Sequence, residues 1–200
     1  MPTRTWPQGF TVDCGGCKHH LEEAAVVIDQ PAQGAGQPHG QRLQHRGDRA
    51  VGLAEQAMLV AGALGRLSEV VTPSGARAAV TLDLDGDRIT RVAVEVAAGD
   101  PLDVVVLRSY AIGAVHMALG WVCTEGLAVD PDTGEVHDLT IRSFGVPRAT
   151  AMPPVEVLLC EDPALARARA TDAVFAATAA AAWLAAGCSV ALPVRTLLGR

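Results

Sequence analysis

From Asp48 onward, Val51, Leu53, Ala54, Met58, Ala61, Leu64 and Leu67 recur at the intervals of one helical face. A helix capped by Asp48 and running to about Leu67 would lay that stripe on a core. Past Pro73 and Gly75 the period changes to two. "ARAAVTLDLDGDRITRVAVEVA" holds two alternating runs on either side of Asp85-Gly86. That dipeptide accepts positive φ, so the stretch predicts a hairpin. Leu102 to Trp121 is apolar nearly all round and predicts a helix covered on most sides. "EGLAVDPDTGEVHDLTI" predicts a second hairpin turning through Asp130 to Gly134, and "PPVEVLLCE" a further strand. Ala164 to Ala186 predicts a long alanine-rich helix ending near Gly187. The order, an initial helix and then β-β-α-β-β-β-α, implies an α+β fold. The expected architecture is a largely antiparallel sheet of hairpins packed against two long helices, with an N-terminal arm.

Residues 30–47, "QPAQGAGQPHGQRLQHRG", lack hydrophobic periodicity and predict a linker. The expected division is therefore an arm and linker at 1–47 and an α+β domain at 48–200. Only 4% of the chain is aromatic and the formal charge is -6. With no basic run, nucleic acid is not an expected partner. The start has no continuous apolar stretch of the secretory kind. Val104 to Trp121 is interrupted by Arg108 and His116, so no membrane span is expected. Five cysteines, an odd number, suit reduced thiols in a soluble cytoplasmic protein.

The sharpest local motif is "DCGGCKHH". Cys14 and Cys17 could present two sulfurs to one zinc ion, with His19 or His20 adding an imidazole. A redox reading would need the pair at a helix start, where the dipole lowers a thiol pKa. "AAVVID", just beyond, looks more like a strand. The plain alternative is a glycine-rich turn with two incidental thiols. Asp83, Asp85 and Asp87 superficially resemble a calcium loop, but its twelfth position is Val94 where a bidentate glutamate is required. The hairpin reading holds there. Ser68, Ser74, Ser109 and Ser143 have no nucleophile-elbow context, and no phosphate-binding glycine motif is present.

"IGAVHMALGWVCTEG" stands apart. His116 in such a helix is ordinarily a core residue. Gly113 and Gly120 say more, because each glycine costs a helix interior about 1 kcal/mol relative to alanine. Together they imply close approach by another backbone or a ligand.

In order and spacing, this helix followed by "DLTIRSFGVPRATAMPPVEVLLCEDP" resembles the last part of the molybdenum-binding subunit of the xanthine dehydrogenase and aldehyde oxidase family. That subunit carries a helix of the type G-x-V-x-x-G-L-G-x-x-x-x-E, matched here by Gly113, Val115, Gly120 and Glu125 around a His116-Met117 centre. Ala118 stands in place of one glycine. Phe144, Val146 and Pro147 resemble the next family segment, and Ala151 replaces an aspartate before Met152-Pro153. Glu161-Asp162-Pro163 and the closing Leu192 to Leu198 continue the likeness, which spans about Ala76 to Leu198. The resemblance implies that Gly113, His116, Met117 and Gly120 either keep only the family's packing architecture or, where a partner chain completes its walls, border a molybdenum cofactor.

One departure sets the expected function. The family follows its Glu-x-Pro element with a Gly-Ala-Lys-Gly-x-Gly-Glu type loop whose glutamate is the catalytic base. Here Pro163 runs straight into "ALARARATD". A base must lie within hydrogen-bond reach of the proton it takes, and the glutamate that serves as base in the family is missing, so no catalytic residue is assigned. The chain is expected to be a small subunit or accessory fragment of a molybdenum hydroxylase complex, non-catalytic alone, held by hydroxylase subunits or by self-association. The alternatives are a stand-alone module with zinc at Cys14 and Cys17, or an enzyme with a repurposed pocket near His116, Arg142 or Glu125.

Overall fold

The computed structural model describes residues 4–5, 25–27, 39–67, 69–137, 140–162 and 164–199 of the 200-residue chain. Its elements run β1 (Arg4–Thr5), β2 (Ala25–Val27), α1 (His39–Leu64), β3 (Glu69–Val71), β4 (Arg77–Asp85), β5 (Arg88–Ala97) and α2 (Val104–Cys123). There follow β6 (Ala128–Val129), β7 (Val136–His137), α3 (Ile141–Phe144), β8 (Val155–Glu161) and α4 (Thr171–Ala185). Short 3-10 turns occupy Ala149–Ala151 and Arg195–Leu198.

The fold is α+β, as the periodicity implies, but the pairing of strands differs from expectation. The main sheet has the order β1-β8-β5-β4-β3-β2. Only β3–β4 and β4–β5 are antiparallel; β5–β8, β1–β8 and β2–β3 are parallel. Connection length explains this. The two-residue turn at Gly86-Asp87 forces β5 back along β4, with Gly86 at φ 58°. Between β2 and β3 lies α1, and between β5 and β8 lies α2, and such long helical crossovers permit parallel strands.

Alternation along the strands divides the sheet into two faces. Ala78, Val92, Val94 and Val96 are buried beneath the helices, joined by Val157 and Leu159. The opposite face carries Arg91 between Asp83 and Glu156, paired with both. Three long helices, rather than two, build the other layer. In α4, Ala173 to Ala180 are buried, so this helix is the centre of the core, with α1 on one side and α2 on the other. The α1 stripe is Leu53, Ala54, Ala57, Met58 and Ala61, whereas Leu64 is exposed. The helix also begins at His39, inside the stretch expected to be linker, and ends at Leu64 rather than Leu67.

Two further expectations change. The second hairpin shrinks to the two-residue strands β6 and β7, and the sequence after it becomes α3 instead of continuing as strand. Its turn is built by Asp130, whose carboxylate accepts hydrogen bonds from the Asp132 and Thr133 amides at 2.8 and 2.9 Å. Those amide bonds hold the Asp130 carboxyl below its ordinary range. Helix α4 starts at Thr171, not Ala164. The residues before it lie along Ala98 and Gly99 instead, with the Ala168 amide donating to the Ala98 carbonyl at 3.0 Å.

Helix α2 spans 20 residues from Val104 and, by length and composition, is long and apolar enough to cross a membrane. Arg108 and His116 do not remove it from that class, contrary to expectation. A third of its most apolar window is buried inside the fold, where Ala111, Ala114, Val115, Ala118, Leu119 and Val122 face the core. Asp103 caps it, its carboxylate accepting from the Val105 and Val106 amides at 2.7 and 3.1 Å.

Candidate functional site

The residues marked by the glycine helix meet the following chain at the end of α2. Thr124 and Glu125 both donate their amides to the Gly120 carbonyl, so the chain folds back over the last helical turn. That turn brings the Glu125 carboxylate onto Gly120. Its Oε1 occupies the place where a Cβ would sit, and Pro147 Cδ lies 3.1 Å from the same point. A side chain at 120 would have to displace that carboxylate and press on the proline ring; the close approach is made by side chains, where the sequence implies a backbone or a ligand. One turn earlier, His116 Nε2 is 3.0 Å from the Pro147 carbonyl oxygen and pairs with it as a hydrogen-bond donor.

The segment after α3 is seated by two more backbone contacts. The Gly126 amide donates to the Phe144 carbonyl at 2.9 Å, and Gly145, at φ 87°, has the Thr124 carbonyl oxygen where a side chain would begin. Pro147 is buried and Glu125 half-buried. Burial raises the Glu125 carboxyl above its ordinary range, and nearby His116 opposes that shift. Chemically, the arrangement is a latch: the His116 imidazole and the Pro147 ring hold α2 to the segment that follows it, with the Glu125 carboxylate laid over Gly120.

Gly113 behaves differently from Gly120. Nothing lies within 4 Å of its missing Cβ, so the close approach expected there is absent among the described residues. Met117 is also exposed, on the same outer side of the helix. Thus Gly113, His116, Met117 and Gly120 do not converge on one enclosed space. The room beside Gly120 is filled by Glu125 and Pro147, and the set does not fit a bound molybdenum cofactor within this chain. Arg142 is exposed on α3. Sequence reasoning missed Pro147 as the partner of both His116 and Gly120, because nothing in a lone proline tells which helix it will meet.

Elsewhere, an open groove of about 410 Å³ lies between the turn end of β5 and the segment before β8. Arg88, Thr90, Thr150, Met152, Pro153 and Leu198 line it, together with Ala151. Its lining offers a guanidinium and two hydroxyls but no carboxylate, imidazole or thiol, and so no general base. Cys123 is buried within α2, and burial pushes its thiol up to about 12. Among the described residues, no group of three or more His, Cys, Asp or Glu side chains could hold a metal ion. Cys14, Cys17, His19 and His20 lie outside the described residues.

No protein-family model and no curated protein sequence matches the chain. Among solved structures, it is similar to the reconstituted CO dehydrogenase of Oligotropha carboxidovorans, with a TM-score of 0.47 and 14% identity over 56% of this chain and 15% of that one. Quinoline 2-oxidoreductase from Pseudomonas putida 86 gives a TM-score of 0.44 and 18% identity over 56% of this chain and 15% of the other. A Cu,Mo-CO dehydrogenase in its carbon monoxide reduced state gives 0.45 and 15% over 62% and 17%. The chain thus spans less than a fifth of the length of each of these proteins.

Proposed function

We propose that this chain is a non-catalytic accessory subunit of a molybdenum hydroxylase assembly, working in the cytoplasm by binding another chain of that assembly. The sequence likeness running from Gly113 to Pro163 is the ground for naming the assembly. The observation that carries the non-catalytic part is the closed latch at Gly120. Of the groups that chemistry would use, His116 is engaged in holding one motif of the likeness, the glycine helix, onto the next, the Phe144 to Pro147 segment, and the Glu125 carboxylate is folded back onto Gly120.

Binding to another chain is supported by the apolar surface of the arm between α2 and β8. Leu127, Val129, Val136, Ile141 and Val146 are all exposed there. Exposed apolar side chains that recur along one short stretch of chain suit a contact surface.

The test is capture of the tagged full chain from its native cells, with elemental analysis of the chain alone and of any complex. A molybdenum hydroxylase chain recovered at stoichiometric level, lost on Ile141→Glu, supports the reading. Molybdenum bound by the isolated chain, or hydroxylation by it, would sink the non-catalytic assignment. Stoichiometric zinc that disappears on Cys14→Ser and Cys17→Ser would favour a stand-alone zinc module instead.

A further inference from the structure

Among the described residues, the outer side of α2 is largely exposed from Val105 to Met117, and we infer that it is covered by the same side of α2 from a second copy of this chain. This deepens the assembly reading above by naming a self-contact separate from the arm. Val105 is 76% exposed, Tyr110 62% and Met117 58%, with Val106 and Ile112 beside them and Leu102 just before the helix. These six residues leave on the order of 600 Å² in water; with Ser109, Gly113 and His116 the surface approaches the ~800 Å² per partner of a standard interface.

Charge favours a second copy over a different chain. The protein carries a formal charge of -6, so two copies repel over most of their surfaces. From Val104 to Cys123 there is no acidic residue at all, and the basic ones are Arg108 and His116. His116 is already bonded to Pro147. A two-fold contact sets a patch against itself, which demands a patch without net repulsion, and this surface meets that demand.

Gly113 supplies the geometry. It costs the helix stability, yet among the described residues nothing uses the space above it. Two antiparallel α2 helices crossing at Gly113 would use it, because the bare backbone lets the axes approach to the ~8 Å lower limit of helix packing. The two-fold then sets Ser109 of one copy opposite Met117 of the other, and Tyr110 opposite His116.

The test is the mass of the purified full chain, measured by light scattering after size exclusion and by sedimentation, from roughly 1 to 100 μM, the range in which weak interfaces of this size dissociate. The expected result is a dimer of the 20.7 kDa chain. Met117→Glu and Gly113→Gln should each weaken it at least tenfold while leaving the far-UV spectrum unchanged, since both sites are open within one chain. Val136→Glu, on the arm, should leave the dimer intact. A chain that stays monomeric throughout overturns the inference, as does a dimer that survives both α2 substitutions or dissolves on Val136→Glu. Because the measurement uses no other protein, a monomer here leaves the capture experiment untouched, and failed capture leaves the dimer untouched.

Discussion

Replacing Gly120 by alanine separates the latch from an ordinary helical glycine. The new Cβ would fall on Glu125 Oε1 and 3.1 Å from Pro147 Cδ. The carboxylate can swing aside, but the proline ring is tied to a buried backbone and must shift. Forcing an extra methyl into a packed site costs about 1–3 kcal/mol, against which alanine returns about 1 kcal/mol of helix propensity. A net loss of about 1 kcal/mol is expected, which lowers Tm by about 2–4 °C in a chain of this size. Gly52 in α1 is the control, because among the described residues nothing stands within 4 Å of its missing Cβ. Gly52→Ala should stabilise by about 1 kcal/mol, so the two variants differ by about 2 kcal/mol. Urea unfolding followed by far-UV circular dichroism, at one pH and one protein concentration, measures that difference. Adding Glu125→Ala to Gly120→Ala should recover part of the loss, leaving the share due to Pro147. If Gly120→Ala stabilises the chain as much as Gly52→Ala does, the latch as described does not exist.

Asp103→Ala removes the carboxylate that caps α2 and should cost about 1 kcal/mol, seen as a fall in the urea midpoint. Glu125 makes a pH prediction. Its folded carboxyl is raised by burial, so its contribution is full below the unfolded carboxylate range and is lost as pH rises through the raised folded value. Glu125→Gln should therefore gain stability relative to the natural chain as pH rises from the ordinary carboxylate range of about 4; a difference that does not change with rising pH would refute the shift. Cys123, with its thiol pushed up to about 12, should resist alkylation near pH 8 in the native protein and react only after unfolding. Peptide mass spectrometry reads this, with the half-buried Cys188 expected to label before the buried Cys123 and Cys160.

What was legible in the sequence was mostly local. Alternation and the Asp85-Gly86 turn place β4 and β5 because neighbours in the chain determine both. The α2 boundaries move by two residues, and Gly187 stops α4 close to where expected. Strand partners are a different matter: alternation in "PPVEVLLCE" marks a strand without saying that it will lie parallel to β5. Alanine-rich residues before Thr171 have helical propensity, but hydrogen bonding to Ala98 holds them otherwise. At the site, Gly113 and Gly120 send the same signal from the sequence. One is pressed by Glu125 and Pro147 and the other faces open space, because only the tertiary fold decides which side of a helix gains a neighbour. The start of α1 at His39 was hidden among glutamines, glycines and arginines that give no stripe.

The order of the main sheet bears on how the chain can be handled. Strand β1 closes the flank beyond β8 and strand β2 closes the flank beyond β3, so both margins of the sheet are supplied by the first 27 residues. Trimming the chain to its apparent domain would strip both at once. The backbone amides and carbonyls of β8 and β3 would then face water unpaired, each a template on which another molecule's strand could build. A shortened version would therefore be expected to precipitate through strand addition even while its helices remained correctly packed.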